Sequence, residues 1–170
     1  GAAHHAARLE AVRRWDGMRR NYGTWAALTG ARFAQNTTSE AAVAAKNQHN
    51  EIDPTITSMN VAFQKRLLNS THRGELEQSL GQHAFNVWNM EVSTFDERIQ
   101  DALVEENKLS TEYTKVIAAA QIPFRGETLN LAGLRKYATD PDRATRRDSV
   151  VATYGYLEQV GGDIDRIFHE

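Results

Sequence analysis

His169-Glu170 closes the sequence, and this pair is the first half of H-E-x-x-H. In the full motif, two histidines four apart share one helix face and hold zinc, while the glutamate activates the metal-bound water. No second histidine follows within the 170 residues. The other histidines are His4, His5, His49, His72 and His83, and none has a partner four residues on. His4 and His5 are adjacent, about 100° apart on a helix, so they cannot share a metal as an i, i+4 pair does. No Glu-x-x-His occurs, which removes the ligand motif of a di-iron carboxylate bundle. The P-loop, the dinucleotide fingerprint and G-x-S-x-G are absent as well. The histidines read as solvent-facing or tag-like, and His169-Glu170 as the polar end of an amphipathic helix.

Two other groups have residue types suited to chemistry. Asp96, Glu97, Asp101, Glu105 and Glu106 have the composition of a hydrolytic carboxylate cluster. They alternate with apolar steps at helical spacing, so they read as a solvated helix face. Trp15, Trp25, Trp88 and Phe95 have the makings of a ligand groove, but they fall on apolar stripes and read as core or interface packing. Residue types and spacing alone therefore describe a soluble helical domain without a catalytic centre of its own.

Composition agrees. With 20 basic and 22 acidic side chains, the formal charge is −2. Such balance gives no broad electrostatic reason to expect nucleic acid or an anionic membrane as partner. There is no cysteine, which excludes disulfides, thiolate metal sites and thiol nucleophiles and suits a reducing, cytoplasmic compartment. No run approaches the roughly 20 apolar residues of a membrane span. Gly1 is not an initiator methionine, so the chain reads as processed, tagged or cut from something longer.

The elements that must position these residues are predominantly helical, four to six in number. Leu9, Val12, Trp15, Tyr22 and Trp25 predict one or two helices between Ala2 and Thr29, with Gly17, Gly23 and Gly30 as candidate breaks. Thr37 and Glu40 form a capping-box pattern ahead of a stripe of Ala45, Ile52, Ile56, Met59, Phe63 and Leu67. Pro54 lies within it, either in the first turn of a second helix capped by Asp53 or inside one long helix. Past Gly81, Phe85, Trp88, Val92, Phe95, Ile99 and Leu103 predict the strongest helix, and Leu109 to Ala120 another with Ser110 as N-cap. Ile122–Phe124 and Thr128–Leu129 flank Arg125-Gly126, a small hairpin or tight loop. A short helix near Leu131 to Tyr137 precedes a last one, with Asp140 as N-cap and Pro141 at its first position. Its predicted apolar face is Val150, Tyr154, Leu157, Gly161, Ile164 and Phe168, and Gly161-Gly162 weakens it without ending it. Lacking a C-cap glycine or a basic last turn, this helix reads as one that continues past residue 170.

An ordered series of short motifs begins at the stretch RGELEQSLG, residues 73–81, and goes on with Phe95-Asp96-Glu97, an acidic helix and Glu106-Asn107-Lys108-Leu109. Tyr113 to Ala120 then runs into Ile122-Pro123-Phe124-Arg125-Gly126-Glu127, followed by Leu129, Leu131, Leu134 and Tyr137, and then by Asp142, Arg143 and Arg146. This series resembles the N-terminal helical region of the oligoendopeptidase F family, zinc metallopeptidases related to thimet oligopeptidase. Asp142, Arg143 and Arg146 match a helix start of the family, and Ser149 stands where the family usually has alanine. The resemblance extends from about Asn36, is clearest from 73 to 168, and treats the first 35 residues as generic helix.

This resemblance implies an all-α, multi-helix N-terminal lobe with one short β-hairpin or loop near residues 122–129, residues 1–170 forming a single helical domain of a longer peptidase. The family's two helical lobes enclose a channel for short peptides, and its H-E-x-x-H and downstream glutamate bind zinc. Those residues would lie beyond this chain, so no catalytic, cofactor-binding or metal-ligating residue is carried over onto it. The segment would shape the channel, be inactive alone, take short peptides as partners only through the missing lobe, and self-associate through its exposed interface. Arg143 and Arg146 tempt a substrate-carboxylate reading but are expected to pair with Asp140, Asp142 or Asp148. Gly126 reads as a turn requirement. The competing reading is a stand-alone helical interaction module without enzymatic activity.

Overall fold

A computed structural model describes residues 2–169. Gly1 and Glu170, on which the tag reading and half of the His-Glu reading fall, lie outside the described residues. The described residues form eight α-helices and one two-stranded antiparallel sheet, in two compact units divided between Glu105 and Glu106. No helix among them is long and apolar enough to cross a membrane.

The first unit opens with α1 (Ala2–Gln35), a single helix that Gly17, Gly23 and Gly30 do not interrupt. A turn follows in which the Asn36 side chain accepts from the backbone N–H and hydroxyl of Thr38. Helix α2 (Glu40–Leu68) is capped by Ser39, whose hydroxyl accepts from the Ala42 N–H, and not by the expected Thr37. Of the two arrangements open for Pro54, the structure has the single long helix, with Pro54 buried inside it. The predicted stripe of α2 matches the buried face only in part. Leu67 is buried and Phe63 packs against the core, but Met59 is 55% exposed, while Asn50, Pro54, Val61, Gln64 and Leu68 are buried. Two carboxamides on the inner face made it look polar in sequence.

Helices α3 (Arg73–Leu80) and α4 (Gln82–Thr94) meet at Gly81, where φ is +87°, a left-handed conformation that favours glycine. The core of this unit joins Val12 and Trp15 of α1, Leu67 and Leu68 of α2, Leu76 of α3, and Phe85 and Trp88 of α4. Trp15 packs edge-on against Trp88 at 5.6 Å between ring centroids. Its indole N–H donates to Asn60 Oδ1 at 3.0 Å, so the buried ring keeps its polar atom satisfied. Trp15 and Trp88 are thus core residues, as their spacing predicts, and Trp25 is half-buried.

The predicted strongest helix is broken. Phe95 takes an extended conformation after α4, a 3₁₀ turn occupies Glu97–Ile99, and α5 runs Gln100–Ala118. Asp96 explains the break: its carboxylate accepts from the Arg98 backbone N–H at 2.9 Å, a local bond that competes with continued helix. Ser110 is interior to α5 rather than an N-cap.

In the second unit, β1 (Ile122–Phe124) pairs with β2 (Glu127–Leu129) in the register Ile122–Leu129, Pro123–Thr128 and Phe124–Glu127. The two-residue connection has φ of +51° at Arg125 and +85° at Gly126, the positive pair that a type I′ hairpin turn needs. Then come α6 (Leu131–Leu134), capped by the Asn130 side chain, and a 3₁₀ stretch over Arg135–Thr139. Ala120, Ile122, Phe124 and Leu134 form the core, with Tyr137, Ala152 and Tyr156 against it.

Helix α7 (Arg143–Gln159) is capped by Asp142, not Asp140. The Asp142 carboxylate accepts from the N–H groups of Ala144 and Thr145 and from the Thr145 hydroxyl at 2.6 Å. These bonds hold its pKa below the usual carboxylate range, the Thr145 hydroxyl contributing most. Asp140 instead accepts from the Asp142 N–H, shaping the preceding turn. The inner face of α7 is small and polar: Thr145 and Ser149 are buried, and the Ser149 hydroxyl donates to the Arg146 carbonyl. The predicted apolar face is largely outward, with Val150 and Tyr154 46% and 67% exposed. The helix stops at Val160, and a separate α8 (Gly161–His169) follows, so the two glycines do coincide with a break. Ile167 anchors α8, Arg166 pairs with Glu112, and Phe168 meets Tyr113 edge-on. Its last turn carries Arg166 and His169, a basic end where none is expected from the sequence.

Candidate functional site

A cavity of about 410 Å³ lies among α1, α2, α4 and the start of α5 in the first unit. Its floor is Gln64, of which 1% is exposed. The Gln64 amide Nε2 donates to Glu91 Oε2, which fixes the orientation of the carboxamide, because a carboxylate oxygen accepts only from the nitrogen. The Gln64 Oε1 is buried and has no hydrogen-bond partner. Arg19 lines the same cavity, its guanidinium 4.7 Å above the Trp15 ring. Thr57, Asn60 and Thr94 add small polar groups, and Phe95, Ile99 and Leu103 make an apolar side.

A second polar group lies between α1 and α2. The Tyr22 hydroxyl donates to Asp53 Oδ1 at 2.8 Å, and the His49 Nε2 is 3.8 Å from the same oxygen. The His49 ring stacks on Tyr22 and tilts against Trp25. Burial, then the hydrogen bond and the negative charge of Asp53, push the Tyr22 phenol well above its ordinary pKa.

The remaining histidines do not converge into a site. His4, His83 and His169 are exposed. The His5 Nε2 is 3.1 Å from the Ser79 hydroxyl, and its Nδ1 is 3.4 Å from Glu75. His72 reaches the other Glu75 oxygen at 3.4 Å. The His72 hydrogen bond is the main reason the Glu75 pKa is lowered. Among the described residues, no group of three or more His, Asp or Glu side chains is arranged to hold a metal ion. Asp101, Glu105 and Glu106 lie on the exposed side of α5, consistent with a solvated face.

Among the described residues, Arg146 has no carboxylate partner. Its Nη1 donates to the carbonyls of Asp140 and Pro141, at 2.6 and 2.9 Å, and so ties down the turn before α7. Arg143 is exposed. Residue-type reasoning missed Arg19, Gln64 and Glu91 because they lie on three different helices. The available signal was the polar interruption by Asn50 and Gln64 of an otherwise apolar face of α2.

The family model of the peptidase M3 N-terminal domain matches residues 2–95. The chain belongs to this family. The match takes in the first 35 residues, which read in sequence as generic helix. Solved structures agree over nearly the whole chain. A protein assigned as an oligoendopeptidase F superposes with a TM-score of 0.91 at 32% identity, covering 96% of this chain and 29% of its own. A second such assignment, from Bacillus anthracis str. Ames, gives 0.86 at 28% identity, with 90% and 28% covered. PZ peptidase A, solved with an inhibitor, gives 0.91 at 28% identity, with 95% and 29% covered. The chain thus spans under a third of the length of these structures and corresponds to an N-terminal segment of the oligoendopeptidase F type. No curated protein sequence matches it.

Proposed function

We propose that this chain is the N-terminal helical segment of a zinc-dependent oligoendopeptidase, forming one helical domain that shapes the channel for short peptides. The observation that carries this reading is the TM-score of 0.91 over 96% of the chain, at 32% identity, to a protein assigned as an oligoendopeptidase F. In this reading the metal and the hydrolytic step belong to a lobe outside this chain, and no step is routed through residues 1–170.

In this reading the isolated segment does not cleave peptides, and the partners of the intact protein are short peptides in a cytoplasmic compartment. Val150, Val151 and Tyr154, apolar and exposed on α7, favour self-association of the isolated segment. The test is the native reading frame. It should continue past residue 170 and encode H-E-x-x-H far downstream. A stop codon directly after residue 170 would overturn the reading in favour of a stand-alone helical module.

A further inference from the structure

We infer that the outer face of α7 is the seat of the polypeptide that follows residue 170, which covers it with an apolar segment carrying a carboxylate opposite Arg135. Helix α7 is inverted relative to an ordinary surface helix, which keeps its large apolar residues inside. Its buried positions are Thr145 and Ser149, and Ala152 and Tyr156 pack on the core of the second unit. Val150, Tyr154 and Leu157 stand at i, i+4 and i+7, one stripe on the other side of the helix. Val150 is 46% and Tyr154 67% exposed. This stripe borders a depression of about 410 Å³, whose apolar lining adds Leu131, Leu134 and Ala138. Arg135 stands in the same lining, and among the described residues no carboxylate pairs with it. A planar guanidinium fork matches a carboxylate with two parallel hydrogen bonds.

Three observations choose the occupant. The chain spans 29% of the matched oligoendopeptidase F structure, so most of such a protein lies outside these residues. Helix α8, from which any following residues leave, comes directly after α7 and belongs to the same unit. Consecutive elements are usually neighbours in space, and a short connection closes at little entropic cost. The exit itself is apolar: Phe168 is 76% exposed, one residue past the buried Ile167, with Tyr113 edge-on against it. The depression is open to solvent, whereas a small-molecule pocket encloses most of its ligand, so it suits a side chain delivered by an adjoining element. A second copy of the chain takes the same face only when the following residues are missing, which accounts for self-association of the isolated segment. The inference rests on that part of the peptidase reading in which the chain continues past residue 170.

The test is hydroxyl-radical labelling, read by mass spectrometry at Tyr154, on the intact gene product and on the 170-residue chain at several dilutions. A free tyrosine-containing peptide added to each sample reports the radical dose. Tyr154 should be labelled in the dilute 170-residue chain, and that labelling should be lost in the intact protein at every dilution. Equal labelling in both would overturn the inference. So would protection in the intact protein that disappears on dilution, which assigns the face to a second copy. Tyr154→Lys should lower the melting temperature of the intact protein and leave that of the dilute 170-residue chain unchanged. Equal shifts in both would mean that Tyr154 serves only its own unit, and would also overturn the inference. Chelator-sensitive peptide cleavage by the intact protein is measured alongside. Cleavage with Tyr154 still labelled sinks the inference and leaves the peptidase reading standing. Protection without cleavage does the reverse, and a reading frame that stops at residue 170 overturns both.

Discussion

Phe85 is fully excluded from solvent and packs against Trp88, at 4.9 Å between ring centroids, in the core shared by four helices. Phe85→Ala should lower stability by about 3–5 kcal/mol, measured by urea denaturation, because the buried ring leaves a cavity its neighbours only partly fill. Tyr22 makes a pH prediction. Its phenol pKa is raised by burial and by Asp53, so the folded state favours the neutral form. A raised folded pKa contributes stability below the unfolded value of about 10, and that contribution is lost as pH rises past it toward the folded value. Alkaline unfolding monitored by circular dichroism should therefore be less steep in Tyr22→Phe than in the parent. At this scale the sequence was informative about what packs: Val12, Trp15, Phe85 and Trp88 all fall on predicted stripes and are buried. It was silent about Gln64, because a buried carboxamide is indistinguishable from a surface one until its neighbours are known.

The hairpin was legible because its determinants are local. Two β-prone triplets flank Arg125-Gly126, and only a turn with positive φ at both residues closes them. Gly126→Ala should cost about 1 kcal/mol or more in thermal unfolding, since a Cβ is strained there. Arg125→Asn should be neutral or stabilising by about 0.5 kcal/mol, because asparagine tolerates the left-handed conformation better. The caps were harder to assign. Asp140 and Asp142 flank Pro141, and either had the chemistry of an N-cap, but Asp142 accepts three hydrogen bonds at the helix start. Its pKa is lowered, so this contribution is present above the unfolded carboxylate value of about 4 and is lost as pH falls through the folded value. Asp142→Ala should lower the melting temperature at neutral pH and reduce the difference between neutral and acidic melts. The break at Phe95 escaped the periodicity because apolar residues keep helical spacing across it, while the interruption comes from Asp96 bonding the Arg98 N–H.

On the scale of the whole molecule, the all-helical character with one hairpin was readable from the sequence, whereas the inner face of α7 was not. Its buried positions, Thr145 and Ser149, are small and polar, and its large apolar residues Val151 and Tyr154 face outward. Helical periodicity identifies an apolar side of a helix, and for an N-terminal segment that side can be reserved for a part of the protein outside the sequence. The isolated chain should accordingly self-associate, with a sedimentation coefficient that rises with concentration. The double substitution Val151→Lys, Tyr154→Lys should hold it monomeric without loss of helical signal.

The central claim is that these residues serve a metallopeptidase whose chemistry lies elsewhere in the protein. The direct measurement is paired metal content and peptide cleavage of the intact gene product and of residues 1–170 alone, with a quenched fluorescent peptide of a few residues as substrate. The intact protein should carry about one zinc, as a three-ligand catalytic site requires, and lose activity to a chelator. Residues 1–170 should carry none and cleave nothing. An intact protein without zinc and without chelator-sensitive cleavage, or an isolated segment that cleaves the peptide, would contradict the account.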